Sequence, residues 1–152
     1  MTETLNQFQR QYPLIIDFDL RWGEMDAFNH INNVAYFRYF ECARIAYFEQ
    51  TQIMSDMRKQ MIGPILAETQ CQYRRPLTYP DRIKVGAVID ELHSYGFMQR
   101  YAIYSTEQDT IATQGYGRIV LLDYKTQQKV AVSDALIEDL NHFQKDLKAL
   151  SL

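Results

Sequence analysis

Residues 21–44, RWGEMDAFNHINNVAYFRYFECAR, decide the fold, because a polar loop runs directly into a strongly apolar helix. Over residues 34–48 nearly every side chain is apolar or aromatic. At 100° per residue, the exceptions share one side of the helix: Arg38, Glu41 and Arg44. About two-thirds of the circumference must therefore be covered by protein, which is more than an ordinary surface helix needs. The sequence predicts a long central helix over residues 33–50, with a curved sheet wrapped around it.

The rest of the chain has the pattern of an antiparallel sheet. Residues 65–74 alternate, with Ile65 and Thr69 on one face and Leu66 on the other, as in a half-buried strand. Further strands are predicted at 13–22, 83–89, 97–106 and 111–124. The four strands that follow the central helix, beginning with residues 65–74, are predicted to form a meander. Gly115 and Gly117 point to one face, which permits either close approach of the central helix or a simple bend. Residues 51–61 read as a loop with a helical turn, and residues 133–150 as a C-terminal amphipathic helix.

Composition limits the classes of function. A chain of 152 residues is predicted to form a single domain, residues 1–152, and 47% hydrophobic with 23% charged residues is ordinary for a globular protein. The net charge of −3 argues against nucleic acid as a partner. Neither a signal peptide nor a membrane-spanning stretch is visible, so the expectation is a cytoplasmic protein without membrane insertion. Paired Cys or His spacings are missing, so no metal or other cofactor is predicted.

The loop before the central helix carries the residues that predict chemistry. Asn32 or Asn33 is a good N-cap, and a helix N-terminus favours the oxyanion that forms when a carbonyl is attacked. Asp26 is a candidate general base or nucleophile aimed at the same carbonyl. Its alternative role is a carboxylate that only caps the loop. The pattern suggests acyl transfer or hydrolysis.

These residues resemble the hotdog-fold acyl-CoA thioesterases, the 4-hydroxybenzoyl-CoA thioesterase-like family. The matching motif is Arg-Trp-x-x-x-Asp-x-x-Asn-His-Ile-Asn-Asn-x-x-Tyr over residues 21–36, followed by Glu41 and Arg44. A second match is ETQCQYRRPLTYPD at residues 68–81, with a Tyr-Arg-x-Pro turn followed by Asp81. The resemblance extends over about residues 13–136.

The resemblance implies an α+β hotdog fold, in which an antiparallel sheet of about five strands wraps a long central helix and a C-terminal helix follows. It also implies hydrolysis of an acyl thioester to a free carboxylic acid and coenzyme A. Asp26 occupies the position of the catalytic carboxylate, and the backbone N–H of Asn33 that of the oxyanion donor. The acyl group could be presented by CoA or by a carrier protein. The active site is expected between two subunits of a homodimer, with a tetramer as the alternative assembly.

Other residues are candidates for supporting roles. His30 could orient water or contact the thioester, or it could hold the loop in place. Glu41 is the alternative catalytic carboxylate, because some family members use an acidic residue on the central helix. Substrate-binding roles are predicted for Asn29, Asn32, Tyr36, Arg74 and Arg75, the two arginines toward the phosphates of CoA.

The sequence is compatible with two other functions. Hotdog hydratases and dehydratases resemble a pattern with Asp, then Asn and Pro, then a His five residues after the Asp, whereas Asp26 and His30 are four apart and the Pro is missing. A hotdog module that binds an acyl ligand without turning it over is the non-enzymatic alternative.

Overall fold

The computed structural model describes residues 1–152 as one antiparallel sheet and four α-helices. The elements in chain order are α1 (Glu3–Gln11), β1 (Leu14–Asp19), α2 (Asn33–Glu49), α3 (Gln52–Gln60), β2 (Ile62–Tyr73), β3 (Arg82–His93), β4 (Gly96–Ser105), β5 (Thr110–Asp123), β6 (Gln128–Lys129) and α4 (Asp134–Phe143). The strand order is β1-β3-β4-β5-β2, with β6 paired to β5. None of the four helices is both long and apolar enough to cross a bilayer.

The sheet curls around α2, so the prediction of an α+β hotdog fold with a wrapped central helix is confirmed. Phe40 on α2 is fully buried, and its ring stacks on Tyr101 of β4 with a centroid distance of 4.8 Å. A Cβ atom added at Gly115 would clash with the backbone oxygen of Gln70 on β2 and would lie 2.6 Å from the Phe40 ring. Of the two explanations for this glycine, close approach of the central helix is therefore the one that holds.

The predicted meander of four strands is wrong for β2, which pairs with β5 rather than with β3. The connection from β2 to β3 passes beneath the start of α2, where Ile31 N donates to Leu77 O at 2.8 Å. Leu77 N in turn donates to the hydroxyl of Tyr36 at 3.1 Å. These bonds attach the connection to the start of α2. In the sheet, β2 is an edge strand.

The predicted alternation of β2 is also wrong at its centre. The register with β5 shifts between Leu66 and Glu68, which marks a β-bulge at Ala67. Because one extra residue reverses which side chains face inward, Leu66 joins Thr69 on the face toward α2. The two side chains line one groove with α2, which we call the α2–β2 groove.

Two helices differ from prediction at their ends or in their extent. Residues 52–60 form the nine-residue helix α3, capped by Thr51, rather than a single turn. Conversely, α4 ends at Phe143 and does not continue to residue 150. Its end is set by Gln144, which is buried and bonds through Nε2 to Ile89 O at 2.6 Å while accepting from the hydroxyl of Tyr47 at 2.6 Å.

Helix α1 has no counterpart in the prediction. Thr2 caps it by accepting from Leu5 N at 3.1 Å, and Phe8 is its one buried residue. Phe8 and Tyr12 pack on Ala102 and Tyr104, on the face of the sheet opposite to α2. The N-terminal segment therefore covers part of the outer face of the sheet.

Candidate active site

A tight hairpin before α2 carries Asp26 and His30. Met25 and Ile31 form an antiparallel bridge, and Asp26 N donates to His30 O at 2.8 Å. The reversal is made by Asn29 in the left-handed region, with φ of 62°. Asparagine tolerates this conformation better than most residues, which accounts for Asn29 at the turn.

The carboxylate of Asp26 has two different oxygens. Oδ1 accepts from Phe28 N at 2.8 Å and from His30 N at 3.4 Å, so it holds the hairpin closed. Oδ2 accepts no hydrogen bond from the protein, and the hairpin around it is largely exposed. The loop-capping role is therefore real, but it uses only one oxygen. The second oxygen is free to accept a proton from water or to approach a carbonyl carbon.

The start of α2 offers a free backbone donor beside this hairpin. Asn32 is the N-cap, because its Oδ1 accepts from Val34 N at 3.0 Å. Asn33 is then the first helical residue, and its N–H has no acceptor within the protein. A free N–H at the positive end of a helix of 17 residues is suited to an oxyanion.

A contact that the sequence did not indicate fixes the start of α2. The hydroxyl of Tyr73, at the end of β2, donates to Asn33 O at 3.1 Å. Desolvation, together with a hydrogen bond involving Cys71, raises the pKa of Tyr73 to about 12, so the hydroxyl keeps its proton near neutral pH. Thr78 adds a second anchor by donating to Asn29 O at 2.8 Å. Only the matched motif at residues 68–81 suggested that this turn belongs to the site.

Five of the predicted site residues, at positions 26, 29, 30, 32 and 33, lie on the hairpin and the start of α2. His30 is exposed and its imidazole makes no hydrogen bond to the protein, so it holds the loop only through its backbone. Tyr36 is buried, and its hydroxyl is occupied by Leu77 N. Glu41 lies further along α2, with its carboxylate 3.7 Å from Arg38 and 4.0 Å from Arg44.

Arg74 and Arg75 follow Tyr73 directly, and the backbone N–H groups of both donate to Ala112 O, at 3.1 and 3.0 Å. Both side chains are exposed, and neither forms an ion pair. Lys84 and Arg100, by contrast, pair with carboxylates at 2.7 and 2.6 Å. The two arginines beside the start of α2 are therefore uncompensated. No group of three or more His, Cys, Asp or Glu side chains is arranged to hold a metal ion.

Comparisons with known proteins show which family the chain belongs to. Residues 20–140 match the sequence profile of the thioesterase-like superfamily. The uncharacterized protein YsmA of Bacillus subtilis is 29% identical over 127 residues, which cover 84% of this chain and 83% of YsmA. The long-chain acyl-CoA thioesterase FadM of Escherichia coli is 23% identical over 126 residues, which cover 83% of this chain and 96% of FadM.

A solved structure supports the fold as well. A thioesterase from Thermus thermophilus, complexed with coenzyme A and Zn, superposes with a TM-score of 0.75 at 22% identity, covering 88% of this chain and 96% of that one. The profile match over residues 20–140 includes the hairpin, α2 and every strand of the sheet except β1. The chain therefore belongs to the thioesterase-like superfamily.

Proposed function

We propose that this protein hydrolyses acyl-CoA to a free carboxylic acid and coenzyme A. Membership of the thioesterase-like superfamily supports thioester hydrolysis as the reaction. The observation that carries the proposal is the hairpin that joins the free Oδ2 of Asp26 to the free N–H of Asn33. A carboxylate and an oxyanion donor on one short, well-anchored segment are the two groups that thioester cleavage needs.

In the proposed mechanism, Asp26 either takes a proton from the attacking water or attacks the carbonyl itself to form a mixed anhydride that water then cleaves. The Asn33 N–H stabilises the oxyanion in both routes. The thiolate of CoA is a good leaving group, so the site needs no strong general acid. This agrees with the presence of only one further titratable side chain, His30, on the hairpin.

The substrate's CoA portion is proposed to lie over Arg74 and Arg75. Both cations are exposed, free of carboxylate partners, and placed directly after the tyrosine that touches the start of α2. The acyl thioester would then meet the hairpin near Asn29 and Asn32, with Tyr36 beneath them as packing support. CoA phosphates at this position would gain charge-assisted hydrogen bonds.

We also propose that a second copy of the chain completes the site. The outer edge of β2 has no strand partner, and Leu66 and Ile65 on it are substantially exposed. Five further large exposed hydrophobic side chains lie around the hairpin and its anchoring turn: Trp22, Phe28, Val34, Tyr73 and Tyr79. Such a concentration of exposed apolar surface marks an interaction site. Light scattering on the purified protein should give the mass of a dimer, whereas a monomer would contradict this assembly.

The test of the activity is thiol release across a panel of short, medium, long and aromatic acyl-CoAs. We expect turnover of at least part of the panel. A folded protein that turns over none of them but binds a non-hydrolysable thioether analogue would be an acyl-binding module, and the proposal would be wrong. Turnover of acyl carrier protein thioesters alone would place the acyl group on a carrier instead of CoA.

His30→Ala should lower kcat by about tenfold, less than removal of the Asp26 carboxylate does. The reason is that the imidazole makes no bond to the protein, while the backbone N–H that contacts Asp26 remains in the variant. Steady-state kinetics on the best acyl-CoA measures the effect, with His142→Ala on α4 as the control. A loss equal to that of Asp26→Asn would instead make His30 the general base.

The double variant Arg74→Ala/Arg75→Ala should raise KM for acyl-CoA by about tenfold and leave kcat nearly unchanged, because two exposed charge-assisted contacts are each worth about 0.5–1 kcal/mol. The matched control is Arg58→Ala/Lys59→Ala on α3, which removes two adjacent cations elsewhere. The difference should shrink at high salt. If acyl-pantetheine, which lacks the nucleotide phosphates, shows the same rise in KM, the arginines do not bind phosphate.

A further inference from the structure

The α2–β2 groove begins beside the proposed oxyanion donor and runs along the central helix. Its walls are Val34, Phe37, Arg38, Glu41 and Arg44 from α2, and Leu66 and Thr69 from β2. The helical members are three or four residues apart, so they form one stripe. From Val34 to Arg44 the helix rises by about 15 Å. The groove therefore leads from the proposed site of thioester cleavage to Arg44.

Arg44 closes the inner end of this groove as a buried cation. Arg44 lies on the same side of α2 as Arg38 and Glu41, as predicted, but only 10% of its side chain is exposed, against 72% for Arg38. Nη1 donates to the hydroxyl of Tyr101 at 3.2 Å, and Nη2 lies 4.0 Å from Glu41, which is itself half exposed and shared with Arg38. A buried guanidinium with one neutral partner and one distant carboxylate is incompletely compensated.

The neighbours of Arg44 are also rich in donors. The hydroxyl of Tyr101 donates to Gln99 Oε1 at 3.0 Å, and it accepts from Arg44. Gln99 is fully buried, and its Nε2 has no hydrogen-bond partner. An arginine offers five N–H donors and a glutamine amide two, so this cluster has more donors than acceptors. Its chemistry favours a ligand that brings oxygen acceptors.

A glycine keeps this cluster open toward β2. A Cβ atom at position 117 would lie 2.9 Å from the hydroxyl of Tyr101 and 3.0 Å from Cδ1 of Leu66. Any side chain at Gly117 would therefore crowd the space between the groove wall and the tyrosine that holds Arg44. This is an observation independent of the charge on Arg44, and it points to the same end of the groove.

We propose that the α2–β2 groove binds the acyl chain and that Arg44 selects acyl groups that carry a carboxylate at the far end, as in the mono-CoA thioesters of dicarboxylic acids. This inference rests on the proposed function and adds its substrate class. A terminal carboxylate would accept from the planar fork of Arg44 in a bidentate manner. Arg44 is thus a specificity-determining residue. It lies about 15 Å along the helix from Val34, which is next to the proposed oxyanion donor.

The test compares acyl-CoAs of one chain length that end in methyl, hydroxyl or carboxylate, repeated over several lengths. For the wild type we expect kcat/KM to be at least tenfold higher for the carboxylate end than for the methyl end at the preferred length. Arg44→Met should reverse this ratio. Arg44→Lys should retain only part of the preference for the carboxylate end, because an ammonium group cannot make the bidentate contact of a guanidinium group. Arg58→Met on α3 is the control and should leave the ratio unchanged.

A second readout does not depend on turnover. Thioether analogues with methyl or carboxylate ends are titrated calorimetrically against wild type and Arg44→Met, and the ratio of their Kd values should change in parallel. Equal wild-type rates for methyl and carboxylate ends, or a ratio that survives Arg44→Met, would overturn the inference while leaving thioester hydrolysis intact. Preference for the hydroxyl end over the carboxylate would also overturn it. Absence of turnover for every substrate would instead contradict the proposed function.

Discussion

Asp26→Asn should lower kcat by at least about 100-fold while the protein stays folded. The substitution removes the base or nucleophile, since an amide neither takes a proton from water nor attacks a carbonyl at a useful rate. It keeps Oδ1, which accepts from Phe28 N and His30 N and holds the hairpin. The fold and the binding of substrate should therefore change little. Thiol release under saturating acyl-CoA measures the loss directly.

The matched control is Asp19→Asn, which alters an exposed carboxylate that contacts Arg82 on the sheet, away from the hairpin. We expect its kcat to stay within about twofold of the wild type, as for a surface substitution outside the site. Thermal unfolding of both variants separates loss of chemistry from loss of fold. Wild-type turnover by a folded Asp26→Asn protein would contradict the assignment and move the chemistry to Glu41, the alternative carboxylate on α2.

Phe40→Ala should lower the free energy of unfolding by about 3–5 kcal/mol. Phe40 is fully buried and stacks on Tyr101, and with the backbone oxygen of Gln70 it leaves no space for a side chain at Gly115. Truncation would leave a cavity that the surrounding strands cannot fill, because their hydrogen-bonded ladder fixes their position. Chemical denaturation with equal m-values for the two proteins gives the difference.

Leu152→Ala is the control for this measurement, because it truncates a large apolar side chain at a position where 68% of the residue is exposed. Its effect on the free energy of unfolding should stay within about 0.5 kcal/mol. A change below about 1 kcal/mol for Phe40→Ala would mean that the sheet does not enclose α2 as tightly as the stacking with Tyr101 indicates.

The central helix could be predicted because its information is local. A run of aromatic residues with few charges needs covering on most sides, and Asn32 before that run caps the helix. The segment before it is predicted only as a loop, and the hydrogen bonds within residues 25–31 close it into a hairpin. By contrast, no local pattern told Asn32 from Asn33 as the cap. That choice depends on the register in which the hairpin meets the helix.

What could not be predicted depends on distant contacts. The inward face of β2 changes at a bulge that only pairing with β5 defines. The length of α4 is set by Gln144, whose partners lie 55 and 97 residues away in the chain. The burial of Arg44 depends on Tyr101, which is 57 residues away. Each of these features depends on a partner that is distant in the sequence, either a paired strand or a hydrogen-bonding side chain. The periodicity of the sequence does not identify such a partner.

Helix α1 changes the surface that the outer face of the sheet presents. It lies on the side of the sheet turned away from α2, where Phe8 and Tyr12 are buried and the Thr2 hydroxyl donates to Asp109 at 2.8 Å. Detaching α1 would expose both aromatic rings to water, which disfavours any arrangement of subunits that needs the bare sheet beneath it. On this side of the molecule, the surface open to any contact therefore includes helix α1 as well as bare sheet.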